Sequence, residues 1–192
     1  MSRTKVLCFL FLSFCVTATV LGQLAQTSWP KHHADPQNTG MAKPGTPFFV
    51  NPAVQWQVAV YNQTPDDWEN QSTPLIGANS DYVYVSGADG KIWKLDASDG
   101  SLVWSYTTDA GFQACGVLTG ETVETRLTQA TGYNSGTQAV YTLDTSTGSV
   151  IWSDVYTETG EKNSLSSANV DSSGNIYIGL GDIEREGGLT GW

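Results

Sequence analysis

From residue 73 onward the chain alternates short apolar runs with glycine, aspartate and serine clusters, and it never sustains a helical period. The run Asp81-Tyr-Val-Tyr-Val-Ser-Gly-Ala-Asp-Gly90 reads as a strand closed by an Asp-Gly turn. The next run, Lys91-Ile-Trp-Lys-Leu-Asp-Ala-Ser-Asp-Gly-Ser-Leu-Val-Trp104, reads as strand, tight turn and strand. It recurs 48 residues later as Ala139-Val-Tyr-Thr-Leu-Asp-Thr-Ser-Thr-Gly-Ser-Val-Ile-Trp152. Each copy is a β-hairpin. Asp96 and Asp144 are placed to bond the turn's own amides, and Gly100 and Gly148 permit a positive φ there. Trp104 and Trp152 would close each hairpin with a large ring. Thr73–Gly77 and Ser166–Val170 read as leading strands, and Ile176-Tyr-Ile178 answers Val83-Tyr-Val85. Four strands per unit of about 45 residues is the pattern of propeller blades, which bury their faces against neighbours.

Composition sharpens this picture. Charged residues are 15% of the 192 and aromatics 11%, with seven tryptophans and 20 glycines, which excludes a helical bundle and intrinsic disorder. The formal net charge of −10 excludes nucleic acid as a partner. At the N-terminus, Arg3 and Lys5 precede an uncharged apolar run from Val6 to about Gly22, the pattern of a secretory signal peptide over residues 1–22. An uncleaved anchor is the alternative, weakened by Thr17, Thr19 and Gly22. Cleavage before Gln23 would remove Cys8 and Cys15, leaving Cys115 as a lone thiol of buried type and no further membrane span. Secretion is thus expected, to an extracellular, lumenal or periplasmic space. Asn62 and Asn70 head sequons open to glycosylation in a eukaryotic source.

Leu95-Asp96-x-x-x-Gly100-x-x-x-Trp104 and Leu143-Asp144-x-Ser-Thr-Gly148-x-x-x-Trp152 resemble the tryptophan-docking motif of the pyrroloquinoline-quinone-like (PQQ-like) β-propeller repeats, the quinoprotein alcohol dehydrogenase superfamily. The opening Trp29-Pro-Lys-His-His-Ala-Asp-Pro-Gln-Asn-Thr-Gly40, continuing to Trp56, is similar to that of many members. The resemblance covers about residues 28–182. It implies an all-β propeller in which the tryptophan of one blade packs on the turn of an adjacent blade. It implies a division at residues 23–71, an N-terminal segment with a first strand and polar loop, and 72–192, the repeats (about 72–110, 111–157 and an incomplete 163–192). With seven or eight blades typical of the family, the chain reads as an N-terminal part holding two to three blades. Some members hold PQQ and Ca²⁺ beside a vicinal cysteine pair; others are non-enzymatic scaffolds or sensors. This chain lacks the pair, which favours the second kind.

No catalytic residue is assigned. Asp96-Ala-Ser-Asp-Gly100 lacks the ligand spacing and terminal glutamate of a Ca²⁺ loop. His32 and His33, adjacent on what reads as an extended segment, would point opposite ways and hold no metal. Asp66, Asp67 and Glu69 around Trp68 form an acidic-aromatic knot, read as a solvated loop with a sugar-stacking alternative. Asp182, Glu184, Arg185 and Glu186 read as a charged loop at a blade edge, and Gly191-Trp192 as the start of a strand answering Ile92-Trp93. The leading expectation is therefore a secreted, non-enzymatic interaction or structural module engaging a protein or carbohydrate partner. The alternatives are part of a PQQ- and Ca²⁺-dependent alcohol dehydrogenase, and a carbohydrate-binding surface around Trp68.

Overall fold

The computed structural model describes residues 23–25, 27, 30–35, 53–60, 72–120, 123–132, 138–155, 162–163, 167–182 and 185–191. Asn62, Asn70, the Asp66–Glu69 knot and the 1–22 leader lie outside them. Twelve strands in the described residues form three antiparallel sheets, and the one helical element is a 3₁₀ turn at Ala78–Ser80.

The first sheet runs β1 (Leu75–Ile76), β2 (Tyr82–Ser86), β3 (Lys91–Asp96), β4 (Leu102–Thr107), in chain order. The second repeats it with β5 (Val117–Thr119), β6 (Arg126–Ala130), β7 (Ala139–Asp144) and β8 (Val150–Val155). Lys94 faces Trp104 and Thr142 faces Trp152, and both hairpins carry one irregularity immediately beyond that pair. The third sheet holds β9 (Lys162–Asn163) and β10 (Asn169–Val170), both on β11 (Ile176–Asp182), followed by β12 (Arg185–Gly191). The chain is all-β, built of partial propeller blades.

Two features depart from the sequence expectation. Asp182, Arg185 and Glu186 lie in strands, because Asp182 pairs with Arg185 where β11 turns into β12. Gly191 faces Tyr177, the place Lys94 holds opposite Tyr84, so the third unit is two residues further along than a match to Ile92 implies.

The strands β5 and β6 carry no clear alternation in sequence, and burial explains why. The middle sheet is covered on both faces, so successive residues of β5 enter two different cores. Leu118 packs with Leu75, Tyr84, Ile92, Phe112, Leu127 and Leu143, whereas Val117 packs with Val140, Val170 and Ile178. Thr128 and Gln129 of β6 are equally buried. Their polar atoms are satisfied inside: Thr128 Oγ1 meets Thr142 Oγ1 at 2.8 Å, and Gln129 Nε2 donates to Ser86 Oγ and Ala114 O, both at 2.6 Å.

The N-terminal segment meets β5 through two isolated bridges, Leu24 with Thr119 and Lys31 with Val117. Gly120 N–H donates to Gln23 O at 2.8 Å, Ala25 N–H to Leu118 O at 3.0 Å, and Leu118 N–H to Pro30 O at 2.8 Å. Residues 23–25, 30 and 31 therefore line the inner edge of β5. Ala25 enters the core between the first two units, and Leu24 packs on the core between the second and third.

Candidate functional site

The repeated turns organise the joint between units. The Asp144 carboxylate accepts N–H bonds from Ser146 and Thr147 at 2.9 Å, and Asp96 accepts one from Ser98 at 2.8 Å. These bonds, led by the Ser146 hydroxyl, hold the Asp144 carboxyl below the usual carboxylate range. The glycine that ends each turn has a positive φ, 76° at Gly100 and 74° at Gly148.

Each glycine is covered by an indole from the preceding unit. A Cβ on Gly148 would lie 2.8 Å from Trp104 Cδ2, and one on Gly100 would lie 2.6 Å from Trp56 Cε3. Trp104 Nε1 donates to Thr145 O at 2.9 Å, and Trp56 Nε1 donates to Ala97 O at 2.8 Å. The ring of Trp104 thus lies on the following unit's turn rather than on its own hairpin. Trp152 packs toward the third unit, beside Val170 and Ile178. Trp56 is the residue that sequence reading undervalued. It stands 48 residues before Trp104, as Trp104 stands before Trp152, and that spacing is the signal.

Beneath Trp104 lies a buried polar cluster that sequence reading missed. Glu124 Oε1 accepts from Tyr84 Oη at 3.0 Å and its Oε2 from Ala78 N–H at 2.7 Å. Lys94 donates to the same Thr145 carbonyl as Trp104, at 2.9 Å, and sits 3.7 Å above the Tyr82 ring. Burial lowers the Lys94 pKa, with the charges of Glu124 and Asp144 opposing. Burial and then the Glu124 charge push the Tyr84 phenol far up. Glu124 lies in no repeated run, and the position of Lys94 is held by Thr142 in the next unit, so the repeat does not point to the cluster.

At the inner rim, where the first strand of each unit begins, Thr73 N–H donates to Cys115 Sγ at 2.8 Å and Cys115 N–H to Ser167 Oγ at 3.4 Å. His32 Nδ1 lies 3.1 Å from Thr73 Oγ1 and 4.0 Å from Cys115 Sγ. The two histidines do not point opposite ways. Their rings stack at 3.9 Å, because His33 and Ala34 take positive φ of 60° and 64° in a turn rather than an extended segment. Burial lowers the His32 pKa, helped by His33 and Lys31. Among the described residues no three His, Cys, Asp or Glu side chains converge as metal ligands. This rim is a backbone-satisfying seam.

The outer strands expose apolar residues beside Ser105, Thr107, Ser153 and Asp154. Leu102 and Val103 of β4 and Val150, Ile151 and Val155 of β8 are exposed, as is Val54, which stands two residues before Trp56 as Leu102 and Val150 stand before Trp104 and Trp152. The position two residues before the docking tryptophan is thus apolar and water-facing each time.

A family model described as outer membrane protein assembly factor BamB matches residues 50–191. Among solved structures, the quinohemoprotein alcohol dehydrogenase from Comamonas testosteroni is similar at 16% identity over 55% of this chain and 21% of that one, with a TM-score of 0.45. BamB from Moraxella catarrhalis is similar at 20% identity over 65% of this chain and 35% of that one, with a TM-score of 0.40. The chain spans about a third or less of the length of either. No curated protein matches it.

Proposed function

The chain belongs to the family of the outer membrane protein assembly factor BamB, a PQQ-like β-propeller family, and from that membership we propose that it is a secreted, non-catalytic module that binds other proteins. The observation that carries this reading is the recurrence of exposed valine, leucine and isoleucine on successive outer strands. Isolated apolar residues on a surface need no explanation, whereas apolar positions repeated in register mark a contact surface. The family description, an assembly factor, fits such a role.

The dehydrogenase reading asks for residues that hold PQQ and Ca²⁺, and among the described residues no three His, Cys, Asp or Glu side chains converge. The inner rim presents Thr73, Cys115 and Ser167, whose side chains or amides are engaged with one another along the seam. Residues 23–25, 30 and 31 lie along the inner edge of β5. Trp68, on which the carbohydrate reading rests, lies outside the described residues.

The test has two arms. Adding PQQ with Ca²⁺ should give no dye-linked alcohol oxidation, and sustained turnover would overturn the reading. Crosslinking in the intact source cell should join the chain to a defined protein at fixed stoichiometry; a chain that stays alone under crosslinking would count equally against it.

A further inference from the structure

The outer strands β4 and β8 each pair with one neighbour only, so among the described residues their far edges carry no strand. Hydrogen-bond parity shows which groups line those edges. Thr108 N–H donates to Gly90 O, which puts the bonded pairs at Ile92–Tyr106 and Lys94–Trp104 and turns the backbone of Ser105 and Thr107 outward. Ala139 exchanges its bonds with Thr131 on the opposite side, so Val155 and Ser153 of β8 turn outward in the same way.

The two edge strands hold a single charged residue, Asp154 of β8. The sequences LVWSYT and VIWSDV contain no lysine and no proline, and the one irregularity in each hairpin sits at the turn end. On β8, Val155 stands on the face toward the first unit, opposite to Trp152, yet is 47% exposed with that unit in place.

The charge around the edges has one sign. Between Lys94 and Arg126, and again between Arg126 and Lys162, the sequence holds no basic residue. Asp96, Asp99 and Asp109 flank β4, while Asp144 precedes β8 and Asp154 lies within it. An apolar edge bounded by carboxylates calls for a strand with apolar or β-branched residues at its centre and lysine or arginine at its ends. A second copy of this chain would bring the same carboxylates and a further net charge of −10, so self-pairing is opposed.

We propose that the outer edges of β4 and β8 take an extended, basic-flanked segment of another protein as an added β-strand. This deepens the protein-binding reading and rests on it. The repeat offers two such edges, so a partner with two segments would gain from both.

The probe is a fluorescein-labelled peptide of four Thr-Val repeats with two lysines at each end, followed by fluorescence anisotropy with the full chain at low salt. Saturable binding is expected, at least about tenfold weaker when the lysines are replaced by glutamates. Ser105→Pro with Ser153→Pro should weaken it by at least about tenfold, since proline removes an outward N–H and no ladder bond. Val103→Thr with Ile151→Thr, at exposed positions that the fold does not need, should weaken it several-fold while the unfolding midpoint stays put. Absence of peptide binding, equal binding of the glutamate peptide, or indifference to both double variants would overturn the proposal. A dimer in sedimentation that the proline variants abolish would overturn it in favour of a second copy. Peptide failure together with a crosslinked partner sinks only the edges; failure of both, or alcohol turnover, sinks the reading beneath them.

Discussion

The indole of Trp104 covers the αL glycine of the next unit's turn with its ring and ties that turn's carbonyl with its Nε1, and the two contributions can be separated by substitution. Trp104→Phe keeps a ring and loses the bond to Thr145 O, so denaturant unfolding should show a loss of about 1 kcal/mol. Trp104→Ala also loses the packing and should cost about 3 kcal/mol. At Gly148 the two constraints are backbone and contact. Gly148→Ala meets both, while Gly148→Asn tolerates the positive φ of 74° but still drives a Cβ into the ring. Both variants should therefore destabilise by more than about 1 kcal/mol. An Asn variant as stable as wild type would show that φ alone demands the glycine.

At the level of elements, adjacent sheets are held together by apolar packing and by a buried charge cluster between the first two units. Glu124 sits on the loop before β6 and accepts from Tyr84 of β2 and from Ala78, while Lys94 of β3 reaches across to Thr145. Glu124→Gln leaves the Lys94 ammonium buried with one less countercharge and should cost about 2 kcal/mol near neutral pH. The sign of the pH dependence follows from Lys94, whose folded pKa lies below its ordinary 10.5. Between those two values the unfolded chain holds the proton that the folded chain has lost, so stability rises with pH. Glu124→Gln lowers the folded Lys94 pKa further, so the deficit of the Gln variant should shrink as pH rises from the variant's folded value to that of the wild type, as comparison of unfolding midpoints would reveal.

The N-terminal segment follows the same logic with a different group. His32 has a folded pKa below its ordinary 6.5, chiefly through burial, so its contribution is fully present above 6.5 and is lost as pH falls through the folded value. Hydrogen exchange should show the Leu118 and Gly120 amides, bonded to Pro30 O and Gln23 O, losing protection on mild acidification. His32→Asn should flatten that response. Removing residues 23–35 should abolish the protection at every pH.

Across the whole molecule, no sheet is a stable body by itself, because each buries its faces only against the next. Leu118 and Val117, adjacent in β5, serve two different cores. Damage at one joint should therefore propagate to both flanking units. Unfolding of the Trp104→Ala chain followed by hydrogen exchange should show β2, β3, β6 and β7 losing protection together rather than the first unit alone. Independent loss would mean that the joint couples them weakly.

The hairpins at 91–107 and 139–155 were legible because their determinants are local: an Asp-x-Ser-x-Gly turn, alternation on either side, and a repeat at 48 residues. The propeller class followed from that repeat, and so did the position of Trp104 and Trp152 within it. Strands β5 and β6 were not legible, because a strand buried on both faces loses the period of two and accepts Thr128 and Gln129 wherever hydrogen bonds await them. The histidine pair was misread because a turn, not an extended segment, carries it.

What the sequence by itself determined is thus the repeating unit and the chemistry of its turns, since each rests on residues within a few positions of one another. Only the tertiary structure decided which turns Trp56 and Trp104 meet, that residues 23–25, 30 and 31 line the edge of β5, and that Glu124, Tyr84 and Lys94 share one buried site. Those contacts join positions about 40 or more residues apart, and no local preference encodes them. They are set by how one twisted sheet buries its face against the next.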